Sequence, residues 1–522
     1  MMVIDERTPK SKATNACATC RSQKRKCDKK LPVCSRCTKT GADCNYHWLH
    51  EEQQHNYSNG NNPFGPTTTL ADFLLFHIPV TSHQQWLPGT FQPLHPCRQN
   101  IASRGLDIDH FFVGVLMTTL TEQSETMDRV VDAHFATIQS WLPILHEPSF
   151  RERVQQLSSN PQAETALLVL TLFLLLGRQT EDRPQTPPAG YKGWLYQLCT
   201  YLLSFLKLVR PPSLQLVQAG LYLSVYELGS SSLEAASISI GTCARIGYSL
   251  RLNVDNSRYL PDMLWIQAEE KRRTWLGVYM LDRLINQVLT ENPMPHTVDD
   301  PSIQFRLPIE EQEWDQDPEC PPRSFYQPSF STPIDRPLSY FAREIQAIRT
   351  LGHVQMLPKL TDPLLFHQQV DNLDAFLIQF MECLFRETPG SWQVLCGANA
   401  TVLLAATALH RARLSFETQP GSPGSPGSTP QEINERSIFA LRSCINMVTD
   451  ICLRFNALDP ALRAICIPLP AVVCIGEAAR AAIWLCQIGE EACAVAIEPL
   501  RETLEYAARS WRLAEYYVRQ LG

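Results

Sequence analysis

The chain has no apolar run long enough to cross a bilayer. The longest, Ala166 to Leu176, falls well short of the roughly 20 residues that a spanning helix needs. No apolar segment follows Met1 to Lys10, so a secretory leader is not expected. Phosphate-cradling glycine loops, a dinucleotide fingerprint and a nucleophile elbow are also missing, and no enzyme site is expected. Strand-like alternation of apolar and polar residues is scarce. Between residues 49 and 110 no heptad pattern is sustained, and Pro63, Pro66, Pro79, Pro88, Pro93 and Pro96 interrupt the segment. No coiled coil is therefore expected there, and the oligomeric state is left open.

Cysteine is plentiful. Six of the eighteen lie between Cys17 and Cys44 in the order C-x2-C-x6-C-x6-C-x2-C-x6-C. Cys17, Cys20 and Cys27 recur at Cys34, Cys37 and Cys44 after a constant shift of seventeen residues, which makes the stretch an internal repeat built on thiols. Two tetrahedral zinc ions need eight ligand positions, and six thiolates fill eight only if two sulfurs are shared. In a pseudo-twofold pair the shared sulfurs should be equivalent ones. A disulfide framework would need an oxidising compartment, for which nothing in the sequence speaks. The other twelve cysteines, Cys97 to Cys493, have no metal-ligand spacing and read as small buried hydrophobes.

Charge divides the chain. Residues 1–48 hold eleven Lys and Arg against four Asp and Glu, a formal charge of +7; the remainder, with 35 cations and 49 acids, carries −14. The cations concentrate in one repeat, since Arg21-Ser22-Gln23-Lys24-Arg25-Lys26 has four in six residues and the equivalent Thr38-Lys39-Thr40-Gly41-Ala42-Asp43 has one, offset by an acid. A short helix bearing Arg21, Lys24 and Arg25 would offer cations to phosphates and to the guanine edge. With Arg7, Lys10 and Lys12 the run makes two basic clusters of the kind that direct nuclear import.

Ala16-Cys17-x-x-Cys20-Arg21-x-x-Lys24-x-Lys26-Cys27-Asp28, followed by Pro32-x-Cys34-Ser35-x-Cys37 and Cys44-x-Tyr46, resembles the zinc binuclear cluster of fungal transcription factors of the galactose-regulator type. The resemblance implies two zinc ions bridged by Cys17 and Cys34, in agreement with the symmetry argument, and terminal ligands Cys20, Cys27, Cys37 and Cys44. It also implies double-stranded DNA as partner, with Lys24 reading a CGG-type triplet in the major groove and Arg21, Gln23, Arg25 and Lys26 beside it. Gln23 stands where the family usually has Arg or Lys.

From about residue 108 the apolar period becomes helical and stays so to the end, in spans such as 163–178, 212–228, 262–289, 391–417, 470–488 and 498–520. In the last of these, Leu500, Leu504, Ala507, Ala508, Trp511 and Ala514 form one apolar face. Leu142 to Phe150, Ala244 to Tyr248, Glu270 to Arg273, Trp275, Asp282-Arg283 and Arg306-Leu307-Pro308 together resemble the middle homology region of the same factors, over about 130–310. His146 and the Asp282-Arg283 pair have the residue types of catalysis but lack converging partners, and are expected to be structural.

The expected organisation is a small zinc binuclear cluster domain with two short helices, at 16–46, and a large all-α regulatory domain at 108–522. They are flanked by a basic arm at 1–15, a linker at 47–107 and a low-complexity loop at 419–430. The expected function is a sequence-specific nuclear transcription factor, working with co-regulators or the transcription machinery and not with a membrane. It is expected to act as a pathway-specific activator of metabolic or secondary-metabolite genes. The alternative is a ligand- or partner-sensing protein whose zinc head does not itself read DNA.

Overall fold

The computed structural model describes residues 16–30, 33–42, 44, 107–176, 191–255, 265–289, 294–315, 327–387, 396–417, 430–459 and 467–521. The basic arm, nearly all of the linker and most of the low-complexity loop lie outside these residues. The chain separates into two units, 1–86 and 87–522. In the first, two short helices are described, α1 (Ala18–Ser22) and α2 (Ser35–Thr40).

In the second unit, helix follows helix: α3 (Ile108–Glu122), α4 (Met127–Ala136), α5 (Glu147–Gln156), α6 (Ala163–Leu176), α7 (Tyr191–Val209), α8 (Leu214–Gly229), α9 (Leu233–Ser249) and α10 (Trp265–Val288). After α11 (Glu311–Trp314) come α12 (Tyr340–Met356), α13 (Pro363–Glu387), α14 (Cys396–Glu417), α15 (Pro430–Asn456), α16 (Leu469–Gln487), α17 (Ala494–Ala508) and α18 (Arg512–Gln520). Among the described residues no strand forms, only an isolated bridge between Arg306 and Ser329. The all-α expectation holds.

Two layers of core follow from the apolar pattern. The run at Ala166 to Leu176 is apolar on every face, so it must be enclosed, and α6 is packed between α3, α4, α7 and α8. Further along, α14 touches α12, α13, α15 and α16. Helix α16, whose apolar stretch is interrupted by Glu477 and Arg480, is nevertheless by length and composition apolar enough to span a membrane; 78% of that stretch is buried inside the body. Its Glu477, buried, is held by Arg411 at 2.8 Å and by the Tyr517 hydroxyl at 3.3 Å, partners that hydrocarbon would not supply.

The expected single helix at 498–520 is two. Helix α17 ends at Ala508, and Trp511 turns extended (φ −132°, ψ 113°) before α18 begins. Its indole Nε1 donates to the Ile467 carbonyl at 2.8 Å, and its ring lies where a Cβ on Gly229 would come within 2.3 Å. The Trp sits on the core face as expected. A straight helix would not bring its N–H to a buried carbonyl forty-four residues earlier, and that bond, with the glycine that makes room, breaks the helix.

The fragments that resemble the middle homology region pack together. Gly247 admits the Trp275 ring so closely that a Cβ would lie 2.7 Å from it, and Tyr248 meets the same ring edge-on at 5.0 Å. Arg273 is wholly buried. It donates to Glu269 at 2.8 Å and to the Ile309 carbonyl at 2.7 Å, and its guanidinium stands 4.1 Å from the Trp314 ring centre. Asp282 accepts from the Thr297 backbone N–H at 3.1 Å and pairs with Arg283, which also donates to the Val298 carbonyl at 2.8 Å. His146 caps α5: its Nδ1 accepts from Ser149, and Nε2–H donates to the Trp314 carbonyl at 3.0 Å. Burial pushes this imidazole below its ordinary pKa, toward the neutral form. These residues are ties between helices, in keeping with the structural reading of their sequence.

Of the described cysteines outside the 17–44 repeat, Cys199, Cys243, Cys383, Cys444, Cys452, Cys474 and Cys493 are buried and Cys486 is half-buried, all as free thiols.

Candidate metal centre and nucleic-acid interface

The seventeen-residue repeat is a geometric repeat as well. Cys17 and Cys34 are the N-caps of α1 and α2, with similar extended dihedrals (φ −58°, ψ 156° and φ −69°, ψ 146°). Each sulfur accepts the backbone N–H three residues on, Cys20 and Cys37, at 3.5 Å. In a C-x2-C pair the second thiol stands one turn up the same helix and comes back over the cap. Cys27 and Cys44 arrive on the segments that follow the helices. Cys44 Sγ accepts the Cys34 N–H at 3.3 Å, and Cys27 Sγ accepts that of Lys29 at 3.4 Å.

The six sulfurs fall into two sets of four, Cys17, Cys20, Cys27, Cys34 and Cys17, Cys34, Cys37, Cys44, with all ligand atoms of each set within 4.8 Å of one another. Cys17 and Cys34 belong to both. Four thiolates around a zinc ion at a Zn–S distance of about 2.3 Å stand about 3.8 Å apart along the tetrahedron's edges. Here Cys17 lies 3.7 Å from Cys34, Cys20 3.7 Å from Cys34, and Cys27 3.9 Å from Cys17. Donor chemistry and spacing both fit zinc.

The electrostatics also single out the two capping sulfurs. Desolvation drives the Cys17, Cys20 and Cys34 thiols up. At Cys34 the Cys37 backbone N–H and neighbouring thiols outweigh it and bring the group down to about 6, and Cys17 is lowered in the same way by Cys20. At Cys20 burial wins, and the thiol rises to about 12. The helix N-termini thus favour thiolate at the two positions common to both sets.

Arg21, Gln23, Lys24, Arg25 and Lys26 are all exposed, so the basic run faces solvent. Lys24 has φ +50° and closes α1 in a left-handed turn, with Lys24 N–H donating to the Arg21 carbonyl at 3.1 Å and Arg25 N–H to that of Cys20 at 2.9 Å. Its repeat equivalent is Gly41, at φ +63°, where glycine is free of strain. The sequence carried the signal for this turn in that glycine. The first repeat has a lysine where the backbone prefers glycine, and the result is a cation projected from the end of a helix. Replacing Lys24 by Gly should leave the zinc-loaded cluster at least as stable, since a non-glycine residue held here costs about 1 kcal/mol; thermal melting of the zinc-loaded protein checks this. Sequence reasoning also missed Asp28, whose carboxylate accepts the Ser35 N–H at 3.0 Å and ties the first repeat to the start of α2. The hydrogen bond to Ser35 holds Asp28 below the usual carboxylate range.

In comparisons with known proteins, residues 15–51 match the fungal Zn(2)-Cys(6) binuclear cluster domain and residues 131–367 the fungal specific transcription factor domain. The chain is 26% identical over 161 residues to the transcription factor BOA15 of Botryotinia fuckeliana, across 30% of this chain and 87% of that protein. It is 25% identical over 328 residues to the azaphilone cluster-specific transcription factor azaR of Aspergillus niger, across 56% of this chain and 64% of the relative. With the pigment biosynthesis transcriptional activator pigB of Monascus ruber the identity is 24% over 326 residues, across 57% and 55%. The chain thus spans somewhat over half the length of the latter two relatives.

Proposed function

Since the chain belongs to the fungal zinc-cluster transcription factors, we propose that it binds two zinc ions through Cys17, Cys20, Cys27, Cys34, Cys37 and Cys44, with Cys17 and Cys34 bridging. With that head it reads CGG-type triplets in double-stranded DNA. Lys24 is the base reader, and Arg21, Gln23, Arg25 and Lys26 line the phosphate backbone. The single observation that carries this reading is the pair of four-sulfur sets sharing Cys17 and Cys34, beside an exposed basic run in one repeat only.

The chain acts in the nucleus as a pathway-specific activator of secondary-metabolite genes, alongside co-regulators or the transcription machinery. Support for the activator role comes from the relatives, two of which are named for an azaphilone cluster and for pigment biosynthesis, the latter as an activator. The domain boundaries expected from the sequence fit this division of labour, with a binding head at 16–46 and a controlling body at 108–522.

Selection from a random duplex pool with the zinc-loaded full chain, at two salt concentrations, tests the reading. One CGG-like half-site is expected if the protein binds as a monomer, and two at fixed spacing if it binds as a dimer. Retention that is merely salt-sensitive, without enrichment, would overturn triplet reading and favour a head that does not read sequence. Lys24→Ala should cost about 1 to 3 kcal/mol on the selected site and flatten the triplet preference, whereas Lys26→Ala should weaken binding to all sequences alike. If Lys24→Ala keeps full discrimination, Lys24 is not the reader.

A further inference from the structure

Glu344, in the second turn of α12, is an acid buried without a partner. It is 3% exposed, and its Oε1 has no hydrogen bond. The carboxyl lies against Gly397, in the first turn of α14, so closely that a Cβ on that glycine would come within 2.3 Å of Oε2. The start of α14 can rest on this acid because residue 397 has no side chain. An ionised carboxylate enclosed in this way is costly, and such a group keeps its proton instead. Burial lifts the Glu344 carboxyl to about 8, with no neighbouring charge to offset it.

The charged groups around this contact are engaged elsewhere. Arg343, next along α12, donates through Nε to Glu387 of α13 at 3.0 Å, through Nη1 to Gln346 and through Nη2 to the Arg336 carbonyl. From α10, Arg273 stands 6.0 Å from the Phe341 ring centre, a turn earlier on α12. Arg283, paired with Asp282, lies against Gly352, two turns later. Lys359, in the 3-10 turn that follows α12, donates to the Met356 sulfur. Helix α14 carries no ionisable side chain from Gly397 to Leu409, and residues 388–395, which join it to α13, carry none either. The end of α13 is thus fastened to α12 by an ion pair, and the start of α14 by an acid that fits there only while neutral.

We propose that Glu344 is a proton-operated latch between α12 and α14: protonated, it lets the first turn of α14 lie on α12, and on losing its proton it opens that contact to water. The latch is independent of what the zinc head reads, so either assignment can fail alone. The sign follows from linkage. An acid whose folded pKa lies above its unfolded value favours the closed contact most below the unfolded value, and that contribution is lost as pH rises toward the folded one.

Hydrogen exchange of the zinc-loaded full chain, read by mass spectrometry on peptides from 396–409, compares the parent with Glu344→Gln, which keeps the shape and does not titrate. The ratio of parent to variant exchange rates at one pH cancels the intrinsic pH dependence of exchange, and acids present in both chains, Glu311 among them, cancel as well. That ratio should rise by up to about tenfold for each pH unit between pH 5.5 and 7.5 and level off above about pH 8.5. Peptides from α3 should keep a constant ratio. Should Glu344→Gln fail to fold, Glu344→Met, which fills the same space with no proton to lose, takes its place. A ratio that stays constant in 396–409 would overturn the latch, and so would a rise shared equally by α3, which would report the whole body loosening. A ratio that falls as pH rises would overturn it too, by showing that the first-turn N–H groups of α14 hold the carboxylate.

Discussion

Replacing Cys17 or Cys34 by Ala should empty both metal positions, whereas replacing Cys27 or Cys44 should leave the opposite position occupied. The asymmetry follows from membership: Cys17 and Cys34 each stand in both sets of four sulfurs, and Cys27 and Cys44 in one. If two ions are bound as proposed, removing a shared sulfur would leave each with three ligands. It also deletes a helix N-cap, since each of these sulfurs accepts the N–H three residues on. So small a head has little apolar core, and its buried centre is the four sulfurs of Cys17, Cys20, Cys34 and Cys37. Structural zinc supplies about 10 to 16 kcal/mol in comparable peptides, so losing both ions should unfold residues 17–44 outright. Native mass spectrometry of the full chain reads the result directly: two zinc ions in the parent, none in Cys17→Ala or Cys34→Ala, and at least one in Cys27→Ala or Cys44→Ala. A Cys17→Ala chain that retained two ions would contradict bridging at that sulfur.

Arg273→Leu should destabilise the helical body by about 3 to 5 kcal/mol, the range for breaking a buried ion pair from one side. Arg273 links α10 to the segment carrying Ile309 and Glu311 and stacks on Trp314, whose carbonyl in turn holds His146. Loss of the guanidinium leaves Glu269 with Arg272 and the Ile309 backbone N–H, and strips Glu311 of the Arg273 cation. The effect should grow with pH. Burial already lifts the Glu311 carboxyl to about 7, against the downward pull of Arg273. An acid whose folded pKa lies above its unfolded value favours folding most below the unfolded value, and that contribution is lost as pH rises through the folded one. Without Arg273 the folded value rises further, so the variant should lose more stability than the parent between pH 5.5 and 8.5. Denaturant titrations at both ends of that range measure it; a penalty that shrank as pH rose would show that Glu311 does not depend on Arg273.

The grouping of the six sulfurs at the candidate metal centre was legible because its chemistry is local. Ligand type, count and a seventeen-residue repeat lie within 28 consecutive residues, and the thiolate arithmetic that requires two shared sulfurs needs no coordinates. All-α character was legible for a similar reason, since a helical period is a property of neighbours along the chain. Even the left-handed turn at Lys24 could have been read from Gly41 in the second repeat.

What the sequence could not decide were the meetings between residues far apart in the chain. Trp511 bends the C-terminal helix because Gly229 and the Ile467 carbonyl wait for it, and neither is marked as its partner in the sequence. The apolar character of α16 became interpretable only once its buried Glu477 was seen held by Arg411 and Tyr517. Local pattern fixes which ligands and which periods exist, because backbone geometry repeats over a few residues. Only packing decides which side chains far apart in the chain meet, and whether a buried polar atom finds a partner.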